Sequence, residues 1–85
     1  RMDERTSQLQ LDTPATYRIS VQGALDCKWS EYLDDMAISL RYGADEATMT
    51  VLTGRLIDQA ALMGVLNNVY DLGYPLLSVA RVDHE

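Results

Sequence analysis

The sequence predicts an α+β fold, with a four-stranded antiparallel sheet and helices on one of its faces. Four segments alternate between apolar and polar or β-branched residues, the period of two that is typical of strands. One longer segment instead repeats its apolar residues every three or four positions, as an amphipathic helix does. Glycine and proline separate several of these segments, where the chain is expected to turn.

The first strand is predicted at "TYRISVQG". It follows the polar segment 1–14, which we interpret as a flexible N-terminal arm. The alternation opposes two sets of side chains, Tyr17, Ile19 and Val21 against Arg18, Ser20 and Gln22. This pattern indicates a half-buried strand that ends at Gly23.

A short helix is predicted in the segment that follows, over residues 26–33. Asp26 is placed as its N-cap, and Trp29, Tyr32 and Leu33 then share one helical face. A helix of one or two turns is marginal alone, so it depends on packing by Trp29. If this segment is only a loop, the class remains α+β.

The middle of the sequence predicts a β-hairpin. "MAISLRY" opposes Met36, Ile38, Leu40 and Tyr42 to Ala37, Ser39 and Arg41. A loop, "GADE", begins at Gly43, and "ATMTVLTG" then resumes a strand pattern. We expect Met49 and Val51 to face the core. Thr48 and Thr50 then face outward.

The long helix has a well-marked beginning. Asp58 is placed as the N-cap, where its carboxylate can accept the free N–H groups of Ala60 or Ala61. Ile57 and Leu62 have the spacing of a hydrophobic staple across that cap. The apolar stripe of the helix comprises Leu62, Val65, Leu66, Val69 and Leu72.

The end of the long helix is marked equally well. Gly73 is suited to the left-handed position that ends a helix, and Tyr74 can fold back onto Val69. Pro75 prevents the helix from continuing. The segment "LLSVARV" after it predicts the last strand.

The predicted elements therefore run strand, short helix, strand, strand, long helix, strand. This is the order of the ferredoxin-like split βαβ arrangement. We expect the sheet order 4-1-3-2, with both helices on the same face. The single domain is predicted to span residues 15–83, with 84–85 as a tail.

Two surfaces of this fold are candidates for binding. The sheet face without helices is expected to carry Arg18, Ser20, Gln22, Ser39, Arg41, Thr48 and Thr50, together with Leu52. A solvated face is the simpler interpretation, and the alternative is a ligand or partner surface in which Arg18 and Arg41 bind an anion. On the long helix, Met63, Asn67 and Tyr70 lie off the apolar stripe and can contact a second subunit.

Composition and charge exclude several classes of function. The chain has 85 residues, enough for one small domain, and its net charge of −6 argues against a nucleic-acid or anionic-membrane surface. No apolar segment reaches the about 20 residues that span a bilayer, and no signal sequence opens the chain. The single cysteine, Cys27, favours a reducing cytoplasm. Met2 is expected to be the natural start, with Arg1 an added residue.

No catalytic residue is predicted. Arg55, Asp58 and Gln59 form the densest polar cluster, but the cap interpretation already explains Asp58. Cys27 as a nucleophile would need His84, the only histidine, as its base. A residue so close to the chain end is a poor general base.

No metal or cofactor site is predicted either. Asp34 and Asp35 are adjacent, so their side chains diverge, and a polar turn is the simpler role. Asp45 and Glu46 could join them in a weak cation patch, but the spacing matches no EF-hand loop. An RNA-binding sheet would need exposed aromatic residues on its central strands, and "ATMTVLT" has none.

Three segments resemble a widespread group of small uncharacterised bacterial proteins. These are "YRISVQG", the "GALD" and "WSEYLDDMAI" pair, and "TVLTGRLIDQAALMGVLNNVYDLGYPLLSV", which together cover roughly residues 17–82. The resemblance implies a bacterial, cytoplasmic origin and supplies no activity. Members of the group often carry a histidine after Asp-Gln-Ala-Ala-Leu, where this chain has Met63. Any acid–base or metal role of that histidine is therefore lost here.

The sequence thus favours a non-enzymatic protein-interaction module that forms a homodimer. The helix face at Met63 and Tyr70, the open sheet or a strand edge would be its contact surface. The alternative is a small-molecule-sensing regulatory domain that binds an anionic metabolite at Arg18 and Arg41 or at a dimer interface. An enzyme ranks last, and no nucleic-acid or membrane partner is expected.

Overall fold

The computed structural model describes residues 13–43 and 48–82. The strands are β1 (Ala15–Gln22), β2 (Ala37–Tyr42), β3 (Thr48–Leu56) and β4 (Leu76–Val82), the helix α1 spans Gln59–Leu72, and two 3₁₀ turns, η1 (Cys27–Trp29) and η2 (Glu31–Leu33), lie between β1 and β2. The predicted α+β class is confirmed. Most of the predicted arm, the loop residues 44–47 and the tail lie outside the described residues.

The strands form one antiparallel sheet in the order β2-β3-β1-β4. Read from the β4 edge, the same order is 4-1-3-2. Strands β1 and β3 are central and pair over eight residues each, whereas β2 and β4, within the described residues, each pair with one neighbour. The sheet therefore has two edges, one at β2 and one at β4.

The core lies between one face of the sheet and α1. It unites alternate residues of the central strands with the apolar stripe of the helix, including Tyr17, Ile19, Val21, Leu52, Leu56, Leu62, Val65 and Val69. We call this the covered face of the sheet and the opposite side the open face. Residues directly paired across two strands share a face, so the register assigns most strand positions to one of the two.

The segment predicted as a short helix forms two 3₁₀ turns instead. Asp26 still caps the first turn, because its Oδ1 accepts the Lys28 N–H over 3.0 Å. Leu33 is buried in the core and Trp29 packs against it, whereas Tyr32 is exposed. A segment this short offers too few i→i+4 hydrogen bonds to offset the cost of nucleating an α-helix.

The predicted orientation of β3 is wrong. Thr50 and Leu52 are fully buried on the covered face, and Thr48 shares their side of the strand. Met49 and Val51 lie on the open face instead. Threonine and valine are both β-branched and similar in size, so alternation alone does not decide which set faces the core.

Hydrogen bonds explain how the polar Thr50 side chain is buried. Its Oγ1 accepts the Leu25 N–H over 2.9 Å and donates to the Gly23 carbonyl over 2.6 Å. Both partners belong to the turn that follows β1, so the buried hydroxyl leaves no polar atom unsatisfied. On the same side of β3, the Met36 side chain packs directly against the backbone of Gly54. A Cβ added at Gly54 would lie 3.1 Å from Met36 Cγ.

Helix α1 ends in a Schellman motif. Gly73 has a φ of 90°, in the left-handed region where glycine is favoured. Its N–H donates to the Tyr70 carbonyl over 2.9 Å, and the Tyr74 N–H donates to the Val69 carbonyl over 3.3 Å. These two bonds satisfy helix carbonyls that would otherwise lack a partner.

Candidate functional site

The polar cluster Arg55, Asp58 and Gln59 is not assembled into a site. Asp58 caps α1, because its Oδ1 accepts the Ala61 N–H over 2.8 Å. Arg55 lies on the open face, paired with Thr16 of β1, whereas Asp58 belongs to the helix on the other side of the sheet. The three residues therefore do not form one site. The capping hydrogen bond is a sufficient role for the Asp58 carboxylate.

The proposed staple across the cap of α1 contributes little. Leu62 is buried in the core. Ile57 is exposed at the end of β3, so it has little of its surface in contact with Leu62 or any other residue. The side chain of Asp58 alone therefore accounts for the start of the helix.

Among the residues that the structure describes, the other candidate groups are not assembled into a site either. Asp34 and Asp35 have φ angles of 63° and 58°, so the two carboxylates belong to a left-handed turn that ends η2. Cys27 is exposed in η1. Within residues 13–43 and 48–82, no group of three or more His, Cys, Asp or Glu side chains is placed to hold a metal ion. The other residues considered for these roles, His84, Asp45 and Glu46, lie outside the described ranges.

The open face carries three exposed arginines, Arg18, Arg41 and Arg55. Arg18 pairs with Thr53 and Arg55 with Thr16, so the two arginines are diagonal neighbours on β1 and β3. Such neighbours have Cα atoms about 7–8 Å apart. Arg18 therefore lies near Arg55, which is not among the residues predicted for this face.

Arg41 lies at the other end of the open face. It pairs with Met49, which in turn pairs with Gln22, four residues along β1 from Arg18. That separation is about 13 Å along the strands and two strand spacings, about 10 Å, across them. The anion-binding pair expected from the sequence, Arg18 with Arg41, is therefore not brought together.

Charge is distributed unevenly between the sheet and the rest of the molecule. Each strand contains one arginine and no acidic residue. The fourth of these arginines, Arg81, pairs with Tyr17 and so lies on the covered side. The acidic residues of the described ranges are all in turns, in η2, at the helix cap or in α1: Asp26, Glu31, Asp34, Asp35, Asp58 and Asp71. Among the described residues, the charged side chains of the open face are therefore all positive, in a chain whose net charge is −6.

The centre of the open face is built from small and aliphatic side chains. Val51 is only 7% exposed although no described helix or strand covers it, and its partner on β1, Ser20, is also buried. Ser39 and Ser78 continue the row on the two edge strands. Long neighbouring side chains can lay their apolar stems over such a centre while their charged ends stay in water.

A second candidate surface combines one flank of α1 with the exposed edge strand β4. Asn68 on one flank of the helix donates from Nδ2 to the Tyr32 carbonyl over 2.9 Å, so this flank faces the η2 turn. Tyr70 follows two residues later, about 200° around the helix, and Met63 lies on the same flank as Tyr70. The Tyr70 flank therefore faces away from the η2 turn.

Strand β4 adds large apolar side chains to this surface. Leu76 and Val79 pair with Val21 and Ile19, and so lie on the covered side of the sheet, the side that carries α1. Both are exposed, as are Met63 and Tyr70. We call the four residues Met63, Tyr70, Leu76 and Val79 the β4 border. Asn67, the third helix residue predicted for an interface, is exposed near it.

The opposite edge of the sheet also has exposed apolar residues. Leu40 and Tyr42 lie on the covered side of β2, beyond the reach of α1, and Tyr32 is exposed in η2. The two edges differ in composition, since β4 carries three large exposed aliphatic side chains within four residues. The β2 edge therefore serves as the natural comparison for the β4 border.

Comparison with known proteins identifies one family. The family described as a domain of unknown function (DUF8691) matches residues 16–80. The chain belongs to this family. The DUF8691 match contains the three arginines of the open face and all four residues of the β4 border. No curated protein and no solved structure matches the chain. In the part of the chain that the structure describes, no helix is long and apolar enough to cross a membrane.

Proposed function

We propose that this DUF8691 domain is a non-enzymatic protein-interaction module that forms a homodimer through β4 and the adjoining flank of α1. The observation that carries the proposal is the β4 border, which combines a sheet edge with four exposed apolar side chains. Exposed, flat, hydrophobic edge strands tend to pair with another chain. A second copy is the simplest partner that provides the same edge.

Pairing of β4 with its copy would use the backbone first. β4 has seven residues with Val79 at its centre, and among the described strands it pairs with β1 alone. Two copies of β4 related by a twofold axis near Val79 would run antiparallel and join both sheets into one of about eight strands. The backbone groups at the edge would then donate and accept hydrogen bonds between subunits.

The side chains of the β4 border would add apolar contact to the backbone pairing. Tyr70 is the most exposed large hydrophobic residue of the described ranges, at 80%, and Met63 lies about two turns before it on the same flank. Tyrosine and methionine are enriched in protein interfaces, where they provide adaptable apolar surface. Contact between the two copies would bury this flank of α1 together with the side chains of β4 that α1 does not cover.

We infer further that the fold is a ferredoxin-like split βαβ arrangement in which η1 and η2 replace the first helix. The sheet order and the crossover of α1 from β3 to β4 support this inference. The η turns occupy the position of the missing helix, since Leu33 belongs to the same core as the α1 stripe.

The oligomeric state tests the proposal directly. Multi-angle light scattering after size-exclusion chromatography should give twice the chain mass for the wild type at tens of micromolar. Val79→Lys should give a monomer, because a charged side chain at the centre of β4 would oppose its copy across the interface. Leu40→Lys is the matched control on the β2 edge, since Leu40 is 43% exposed and Val79 39%.

Each outcome of this experiment has a defined meaning. A wild-type chain that remains monomeric at several hundred micromolar would refute the homodimer. Dimers that survive Val79→Lys but dissociate with Leu40→Lys would assign the interface to β2 and refute the proposed surface. Circular dichroism spectra of both variants should match the wild type, because neither position is buried.

A further inference from the structure

We propose that the open face is a docking surface for an acidic segment of a partner protein. This surface is separate from the β4 border, so the inference does not depend on the homodimer. It rests on the charge of the open face, on the spacing of its arginines and on the small side chains between them. Each of these properties favours an acidic polypeptide segment as the partner.

The arginines of the open face are available to an external anion. Arg18, Arg41 and Arg55 are all exposed on this face. A guanidinium group presents several N–H donors in a planar fork, which matches the two oxygens of a carboxylate. Three such groups on one face of an otherwise acidic chain are complementary in charge to an acidic partner.

The spacing of Arg18 and Arg55 suits a polypeptide. Their Cα atoms are diagonal neighbours, about 7–8 Å apart. In an extended chain, side chains two residues apart point the same way and are separated by about 6.5–7 Å. Two acidic residues in an i, i+2 pattern can therefore each meet one of these guanidinium groups. A third acidic residue some residues further along could reach Arg41.

The surface between the arginines permits close approach of a polypeptide backbone. Ser20, Thr53 and Ala80 are small, and they surround Arg18 on three strands. Met49 and Val51 add an apolar centre that partner side chains can cover. Small and apolar residues ringed by charge are the general arrangement of a protein interface, with an apolar core and a polar rim.

Nucleic acid fits this face less well. Single-stranded nucleic acid is held by aromatic side chains on which its bases stack. The open-face residues of the described strands include no aromatic side chain. The net charge of −6 would also repel a long polyanion, whereas a short acidic segment would experience mainly the nearby arginines.

A small anionic metabolite would use only part of the surface. It could bridge Arg18 and Arg55, but Arg41 lies about 13 Å further along the strands and would stay unused. A polypeptide segment of several residues spans that distance. The acidic segment therefore explains all three arginines.

Fluorescence anisotropy with a labelled 15-residue polyglutamate peptide tests the inference at 50 mM NaCl. The wild type should bind the peptide, and Arg18→Gln and Arg55→Gln should each weaken binding about 5-fold, which is about 1 kcal/mol per lost charge-assisted contact. Lys28→Gln removes the same charge from η1, away from the open face, and should change the affinity less than about 2-fold. Val79→Lys should still bind the peptide, because β4 pairing is not required.

Several results would overturn the inference. It fails if polyglutamate does not bind the wild type at 50 mM NaCl, or if Lys28→Gln weakens binding as much as Arg18→Gln does. It also fails if a labelled 15-nucleotide oligothymidylate binds in an Arg18- and Arg55-dependent way and the peptide does not. Full displacement of the peptide by 10 mM inorganic phosphate at matched ionic strength would assign the face to a small anion instead. None of these results bears on the oligomeric mass, so failure here and failure of the homodimer are distinguishable.

Discussion

The hydroxyl of Thr50 donates a 2.6 Å hydrogen bond to the carbonyl of Gly23 and thereby ties β3 to the turn after β1. The same oxygen accepts the Leu25 N–H, so one buried side chain satisfies two backbone groups of that turn. Gly23 has a φ of 106°, and its carbonyl direction depends on that left-handed conformation. The turn and the strand are therefore positioned by one buried hydroxyl.

Thr50→Val should destabilise the domain by about 3 kcal/mol. The substitution keeps the shape of the side chain but leaves a buried N–H and a carbonyl without a partner, each costing about 1–3 kcal/mol. Urea denaturation followed by circular dichroism gives the change in unfolding free energy. Thr53→Val is the control on the open face of the same strand and should change stability by less than about 0.5 kcal/mol. Equal effects at both positions would show that the two Thr50 hydrogen bonds contribute nothing specific.

Asp58→Ala should cost about 1 kcal/mol, because it removes the side-chain acceptor of the Ala61 N–H. Asp58→Asn keeps an oxygen acceptor and should retain most of that stability. Urea denaturation of both variants makes the comparison. If Asn at this position were as destabilising as Ala, the charge of Asp58 rather than its capping geometry would be the source of stability.

Two glycines of the helix region should respond to alanine in opposite directions. Gly64 lies inside α1 with no atom within 4 Å of an added Cβ, so Gly64→Ala should stabilise the domain by about 0.5–1 kcal/mol. Gly73 has equal space, but its φ of 90° is unfavourable for alanine, so Gly73→Ala should destabilise by about 1 kcal/mol. Thermal and urea midpoints should shift in opposite directions. A stabilising Gly73→Ala would mean that the Schellman motif is not maintained in solution.

Tyr70→Glu should weaken the proposed homodimer at least 10-fold without unfolding the chain. Tyr70 is 80% exposed, so the substitution removes no core packing, but it would place a charge within the β4 border. Tyr42→Glu is the matched control on the β2 side, where Tyr42 is 72% exposed. Sedimentation equilibrium gives the dimer dissociation constant for each. A larger effect of Tyr42→Glu than of Tyr70→Glu would move the interface away from α1.

The boundaries of α1 could be predicted from the sequence because the chemistry that sets them is local. A carboxylate three residues before a free N–H and a glycine at the left-handed end position act within one turn of the chain. The short helix was less predictable, since Asp26 supplies a cap but the segment has too few residues to propagate beyond 3₁₀ turns.

The orientation of β3 could not be predicted because its two alternating sets look alike. One set contains Thr50 and Leu52, and the other contains Val51 and Met49. The choice depends on the Gly23 carbonyl, which lies 27 residues away in the sequence. One signal in the sequence did indicate the orientation. Arg55 lies four residues after Val51, so the two side chains point to the same face of the strand. Because arginine is rarely buried in a core, that face is the exposed one.

The sequence by itself determined the α+β class, the number of strands and their succession along the chain, the two ends of the helix and an acidic net charge. These properties follow from periodicity, from capping chemistry and from composition, each of which is read within a few residues or summed over all of them. Only the tertiary structure decided that Arg18 lies diagonal to Arg55 and far from Arg41, and that Leu76 and Val79 are exposed on the covered side of β4. Strand register and helix placement join residues far apart in the chain, and a shift of one residue would send each side chain of a strand to the other face.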